Sequence, residues 1–159
     1  MSSFNKIIYI ALFFASACGF SPVYNGSTSS KLLGQINIQE PNTQNEFIFY
    51  SQLVNRFGDI GDKYFLSYEI ATSKKDRALN FDGTVHRIEM SGSVLFNLED
   101  RETGTKILSE REDINLSYSN LGSTAAVLNS ERTTSKQLIV LLAGKVADQL
   151  SLAIVEKSL

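Results

Sequence analysis

Residues 83–99 read GTVHRIEMSGSVLFNLE, and the alternation there is the clearest in the chain. Ile88, Met90, Val94, Phe96 and Leu98 share one parity, while Arg87, Glu89, Ser91, Ser93 and Asn97 share the other. Successive strand residues point to opposite faces of a sheet, so this period predicts a long strand with one dry face and one wet face. Residues 100–104 (DRETG) follow as a turn signal, and residues 105–118 return as another long strand, with Ile114, Leu116 and Tyr118 on one face of its later half. Two such runs joined by a short polar turn predict an antiparallel hairpin.

Working towards the N-terminus, residues 71–82 are polar, contain Lys74, Lys75 and Arg77, and are expected to be a connection. Before them, residues 64–70 (YFLSYEI) predict a strand with Tyr64, Leu66, Tyr68 and Ile70 on one face. Residues 42–57 predict a helix, with Thr43 or Asn45 as its cap. Its apolar stripe is expected to be Phe47, Tyr50, Val54 and Phe57, widened by Leu53 and closed by Gly58. Residues 35–39 (QINIQ) alternate as a short strand, which Pro41 ends.

On the C-terminal side, residues 119–123 form a polar linker. The period then becomes helical from about Thr124 to about Val155, with Leu128, Leu138, Leu142, Val146, Leu150 and Ile154 on the buried side. Leu141 and Ala153 adjoin that side, and Arg132, Lys136, Lys145 and Asp148 turn away from it. A run near thirty residues exceeds an ordinary globular helix, so its first turns are expected to bend or to form a separate short helix. The order β-α-β-β-β-α implies an α+β, two-layer sandwich: two helices on one face of a mostly antiparallel four-stranded sheet. The opposite face, with Arg87, Glu89, Asn97, Arg111 and Asp113, is expected to be wet.

The N-terminus has a different character. Lys6 precedes an apolar run from Ile7 to Ala15, and small residues lead into Cys18, the single cysteine of the chain. This is the layout of a secretory signal, with an apolar run about half the roughly 20 residues a spanning helix needs. Residues 1–17 are expected to be a signal peptide. Cys18 resembles the acylated cysteine of a bacterial lipobox, which gives a lone cysteine in an exported protein a use. Several acyl chains, at about 0.8 kcal/mol per buried CH₂, anchor a protein to a bilayer lastingly. Gly19, not Asp, follows Cys18; by resemblance to lipoprotein sorting in enteric bacteria this favours the outer membrane. Residues 18–30 (CGFSPVYNGSTSS) are expected to be a tether, leaving 31–159 as a single α+β domain.

Loss of residues 1–17 would leave 142 residues with 14 basic and 17 acidic side chains, a net of −3. That balance argues against nucleic acid as a partner, and one cysteine leaves no disulfide within the chain. No GxSxG, P-loop, GxGxxG or Cys/His cluster with metal-ligand spacing is present, and no cofactor is implied. His86, the only histidine, shares the parity of Ile88 and Met90 and is expected to be structural. The acidic residues around the hairpin alternate with Arg101, Lys106 and Arg111, as on a solvated surface. No active site is expected. Lys74, Lys75, Arg77 and Arg87 have two readings, a solvated loop or a cationic edge that meets lipid phosphates.

The start Cys18-Gly19-Phe20-Ser21-Pro22-Val23-Tyr24, the strand-helix from Ile36 to Phe57, the hairpin turned at Asp100-Arg101-Glu102-Thr103-Gly104, the exit Ser117-Tyr118-Ser119 and the long final helix together carry a resemblance. Over nearly its whole length the chain resembles the LPS-assembly lipoproteins (LptE), particularly those of alphaproteobacterial type. The resemblance implies a non-enzymatic outer-membrane lipoprotein, held at the periplasmic face by its acyl chains. It implies a role as plug and assembly partner of the large LptD β-barrel in the lipopolysaccharide translocon. Contact with lipopolysaccharide through Lys74, Lys75, Arg77 and Arg87 is an expectation from charge and placement. The alternative is an auxiliary lipoprotein of another envelope lipid-transport system.

Overall fold

The computed structural model describes residues 34–79 and 85–157, with the backbone alone described at 78, 79, 85, 86 and 154–157. The expected signal peptide, Cys18 and the tether lie outside the described residues, as does the side chain of His86. The elements are β1 (Ile36–Ile38), α1 (Gln44–Phe57), β2 (Tyr64–Leu79), β3 (Val85–Asp100), β4 (Lys106–Ser119) and α2 (Thr124–Lys157). They build the expected α+β layout around one four-stranded sheet of order β1-β2-β3-β4. β1 runs parallel to β2, and the other pairs are antiparallel.

Register keeps the apolar parity on one face. Leu66 pairs with Leu98, Tyr68 with Phe96 and Ile70 with Val94, and on the other side Leu98 pairs with Leu108 and Met90 with Leu116. Cross-strand partners share a face, so these pairs form the floor on which both helices lie. The first apolar cluster joins that floor to Phe49, Leu53 and Phe57 of α1 and to Ile139, Leu142, Val146 and Leu150 of α2. A second, smaller cluster of Met90, Tyr118 and Leu138 lies farther along the sheet under α2.

Helix α1 begins where the sequence expects. Thr43 is the N-cap, its Oγ1 accepting from the Glu46 N–H at 3.2 Å, and Glu46 Oε2 accepts from the Asn42 N–H at 2.7 Å. These bonds satisfy donors that an uncapped first turn leaves open. Gly58 ends the helix at φ 74, with its N–H on Val54 O at 2.8 Å. The buried row differs from the expected stripe: it is Phe49, Leu53 and Phe57, with Tyr50 and Val54 flanking, while Phe47 is 61% exposed. Two residues of helix turn by about 200°, so Phe47 cannot share a face with Phe49.

Two further expectations need correction. Residues 71–79 are not a polar connection; they continue β2, paired regularly from Ala71↔Ser93 to Asp76↔Ile88. The backbone ladder carries this half of the strand without apolar alternation, because residues 71–77 are exposed. Helix α2 is one helix of 34 residues, without a separate first segment. Its buried rows are Leu138-Leu142-Val146-Leu150 and Ile139-Ala143-Ala147. Ile139 joins the expected buried side, while Leu128 is 48% exposed and Leu141 faces out. Near Leu128 the helix overhangs the far part of the sheet, where Val127 is the residue that packs down.

Candidate interaction surface

Both helices lie on one side, so the odd-numbered side chains of β2, β3 and β4 form an uncovered face. Its centre is small and rich in hydroxyls: Ala71, Ser73, Ser91 and Ser93 with Asn115, Arg111 and Asp113 line a cleft of about 280 Å³. Beside it, Ser67, Glu69, Leu95, Asn97 and Ser109 line one of about 440 Å³, where Ser109 Oγ donates to Asn97 Oδ1 at 2.6 Å. Small side chains on adjacent strands leave the face shallowly concave. Leu95 is the one large apolar side chain that this face contributes to either lining. The expected wet residues Arg87, Glu89, Asn97, Arg111 and Asp113 do lie on this face or at its rim, none of them buried.

Charges on it are mixed and partly paired. Arg111 and Asp113 meet side on, with Nη2 and Oδ1 3.0 Å apart, and the guanidinium holds the Asp113 carboxyl below its ordinary pKa. Arg77 reaches Glu89 at 2.7 Å and lowers the pKa of that carboxyl in the same way. Lys75 and Arg87 are exposed and form no ion pair among the described residues.

The four basic residues singled out from the sequence are therefore split. Lys75, Arg77 and Arg87 come together at the far end of the open face, on strands and not in a loop. Lys74 points to the helix layer, where its ammonium pairs with Glu131 of α2. Tyr118 donates its hydroxyl to the same carboxylate at 3.3 Å. Lys74 holds the Glu131 pKa down, and burial pushes the Tyr118 hydroxyl up. Ser91 and Ser93 are on the parity expected to be polar, and Ser67 is in the expected strand 64–70; Ser73 and Ala71 join them as a floor only once residues 71–79 are strand.

Other chemistry is scarce. Among the described residues no group of three or more His, Cys, Asp or Glu could hold a metal ion. Nor is any described helix long and apolar enough to cross a membrane. Tyr68, packed at 4.8 Å against Phe49, has its pKa pushed up to about 12 by burial, with Glu46 and Tyr50 adding to the rise. Its hydroxyl donates to Gln39 O at 3.2 Å, which is a structural use.

The fold defines a class, a two-layer α+β sandwich, and solved structures share that fold. A Caulobacter crescentus protein assigned as a lipoprotein matches with a TM-score of 0.64 at 18% identity, over 82% of this chain and 98% of that one. Rare lipoprotein B from Shewanella oneidensis matches at 0.63 and 13%, over 79% and 98%. A minor lipoprotein from Acinetobacter baumannii matches at 0.60 and 21%, over 75% and 91%. At these identities the likeness is one of fold. No protein-family model and no curated protein sequence matches the chain.

Proposed function

We propose that this chain is a non-enzymatic lipoprotein of the outer-membrane lipopolysaccharide translocon, anchored through acylated Cys18 at the periplasmic face. In this reading it is the plug and assembly partner of an LptD-type β-barrel. The observation that carries the reading is the open sheet face. A sheet with one face packed and the other lined by serines, asparagines and paired charges can sit in water or against a polar wall, but not in hydrocarbon. The inside of a large outer-membrane barrel is such a wall. The lipobox at Cys18 and the lipoprotein designation of its structural neighbours support the same reading.

Lipopolysaccharide presents phosphates, and Lys75, Arg77 and Arg87 gather at one end of the open face, whereas Lys74 points to the helix layer and is paired with Glu131. Arginine and lysine bind phosphate strongly, arginine through paired donors. Lys75, Arg77 and Arg87 are assigned as its contact points.

The reading is tested by a mild-detergent pull-down of the full-length, C-terminally tagged protein from native membranes, with mass spectrometry of the proteins that co-purify. A stoichiometric large β-barrel is expected. Inner-membrane transporter subunits in its place would assign the chain to another envelope lipid-transport system, and a bound enzymatic product or substrate would contradict a non-enzymatic role.

A further inference from the structure

Helix α1 carries an apolar stripe that the core does not take. Phe49, Leu53 and Phe57 turn to the core, and Arg56 reaches across to Asp148 of α2 at 2.6 Å. Phe47, Tyr50 and Val54 recur at intervals of three and four, so they line a common flank, the one turned away from α2. Phe47 is 61% exposed, and Tyr50 and Val54 are only partly buried. Tyr50 donates its hydroxyl to Asp59 at 2.8 Å, and the next residue, Ile60, is 89% exposed. Apolar side chains thus run along this flank from the first turns of α1 to the loop that follows it.

The described chain begins at the foot of the same helix. Gly34 N donates to Phe57 O at 2.8 Å, so the segment before it joins the domain at the C-terminal end of α1. In that segment residues 20–24 (FSPVY) hold three apolar side chains and no charge, and residues 25–33 (NGSTSSKLL) are rich in Gly, Ser and Thr. A chain of that composition and length spans about 15–18 Å on average. Phe47 lies about 15 Å back along the helix from Phe57, at about 1.5 Å per residue. Leu32 and Leu33, within about 7 Å of Gly34 along the chain, cannot reach it. The span of the linker matches the distance to be covered, the condition under which effective concentration is highest, on the order of millimolar.

We propose that residues 20–24 dock on this flank of α1, with Phe20, Val23 and Tyr24 against Phe47, Tyr50 and Val54. A separate molecule is a poorer occupant. A stable interface takes about 800 Å² from each partner, and a stripe in which Tyr50 and Val54 are already half-buried offers a fraction of that. A tethered segment needs no such area: a contact of about millimolar strength, at about millimolar effective concentration, is made about half of the time. Pro22 presets one φ and so lowers the cost of ordering the segment. The docking does not rest on acylation of Cys18. In the acylated protein it has a consequence, because Cys18 stands just before Phe20: it fixes the side of the domain from which the anchor leaves.

A photo-crosslinker at Ser51, one turn from both Phe47 and Val54, tests this in the full-length protein purified from native membranes in mild detergent. The expected product is an intrachain adduct with residues 20–24, located by mass spectrometry and unchanged on about 100-fold dilution, since a tethered contact is independent of concentration. Phe20→Ser with Tyr24→Ser is expected to lower its yield about 5-fold, as a tenfold weaker contact requires. An equal yield in that variant reports collision alone and overturns the inference. So do adducts confined to detergent or lipid, to a co-purifying β-barrel, or, in a dilution-dependent product, to a second copy. Absence of an adduct with residues 20–24 overturns it as well. The intact mass of the same sample reads acylation separately: the adduct in a protein without acyl chains keeps the docking and ends the anchor reading.

Discussion

Lys74 of β2 and Glu131 of α2 form an ion pair across the helix–sheet interface, and Tyr118 of β4 donates its hydroxyl to the same carboxylate. This contact ties the N-terminal part of α2 to the far end of the sheet, where apolar packing is limited to Val127 and its neighbours. The folded-state pKa of Glu131 lies below its ordinary value of 4.5, so the stabilisation is present above that pH and is lost as pH falls through the lower, folded value. Acidification into that range is expected to raise amide exchange in residues 124–135 before the rest of α2. Glu131→Gln is expected to raise it at neutral pH and to remove the acid dependence.

The two phenylalanines at the start of α1 provide a second test. Phe49 is fully buried between α1 and Tyr68, whereas Phe47 faces solvent. Phe49→Ala is expected to cost about 3–5 kcal/mol in urea unfolding, and Phe47→Ala within about 0.5 kcal/mol. Equal costs would restore the stripe expected from the sequence.

Gly61 sits against β1 so closely that a Cβ would lie 2.0 Å from the backbone carbon of Gln35. Neither backbone can yield without moving β1 off β2. Gly61→Ala is expected to destabilise by about 2–4 kcal/mol and to free the β1 amides in exchange measurements.

Charge reversal separates the binding residues from the structural ones. Lys75→Glu and Arg87→Glu break no ion pair among the described residues, and are expected to shift the melting temperature little while weakening lipopolysaccharide binding by about 10-fold together. Lys74→Glu opposes Glu131 and is expected to lower stability as well. Unchanged lipopolysaccharide affinity in the Lys75/Arg87 double variant would remove these residues from the ligand site.

Legibility of the fold from sequence depends on apolar patterning. β3 carries a clear period of two, so its extent, its buried parity and its hairpin with β4 are readable at once. The far half of β2 carries no such pattern, because neither its side chains nor its outer edge is covered; a backbone ladder alone holds it, and composition does not record a ladder. That one misreading hides two features. Taken as a loop, the segment gives its basic residues a shared surface, although β2 sends Lys74 and Lys75 to opposite faces, and Ser73 has no strand on which to join Ser67, Ser91 and Ser93. In α1 the error is one of phase: a helix with Phe47, Ile48, Phe49 and Tyr50 in succession offers two apolar stripes, and only packing on Tyr68 and Leu66 selects Phe49. The lipobox expected at Cys18 rests on sequence alone and lies outside the described residues.

The most direct test of the central claim is a photo-crosslinker placed at Ser93, in the middle of the open face, in the full-length lipidated protein in native membranes. Irradiation is expected to give one dominant adduct, with the wall of a large outer-membrane β-barrel, located to lumen-facing residues by mass spectrometry. Adducts confined to inner-membrane transporter subunits, or no protein adduct from a correctly lipidated sample, would contradict the account.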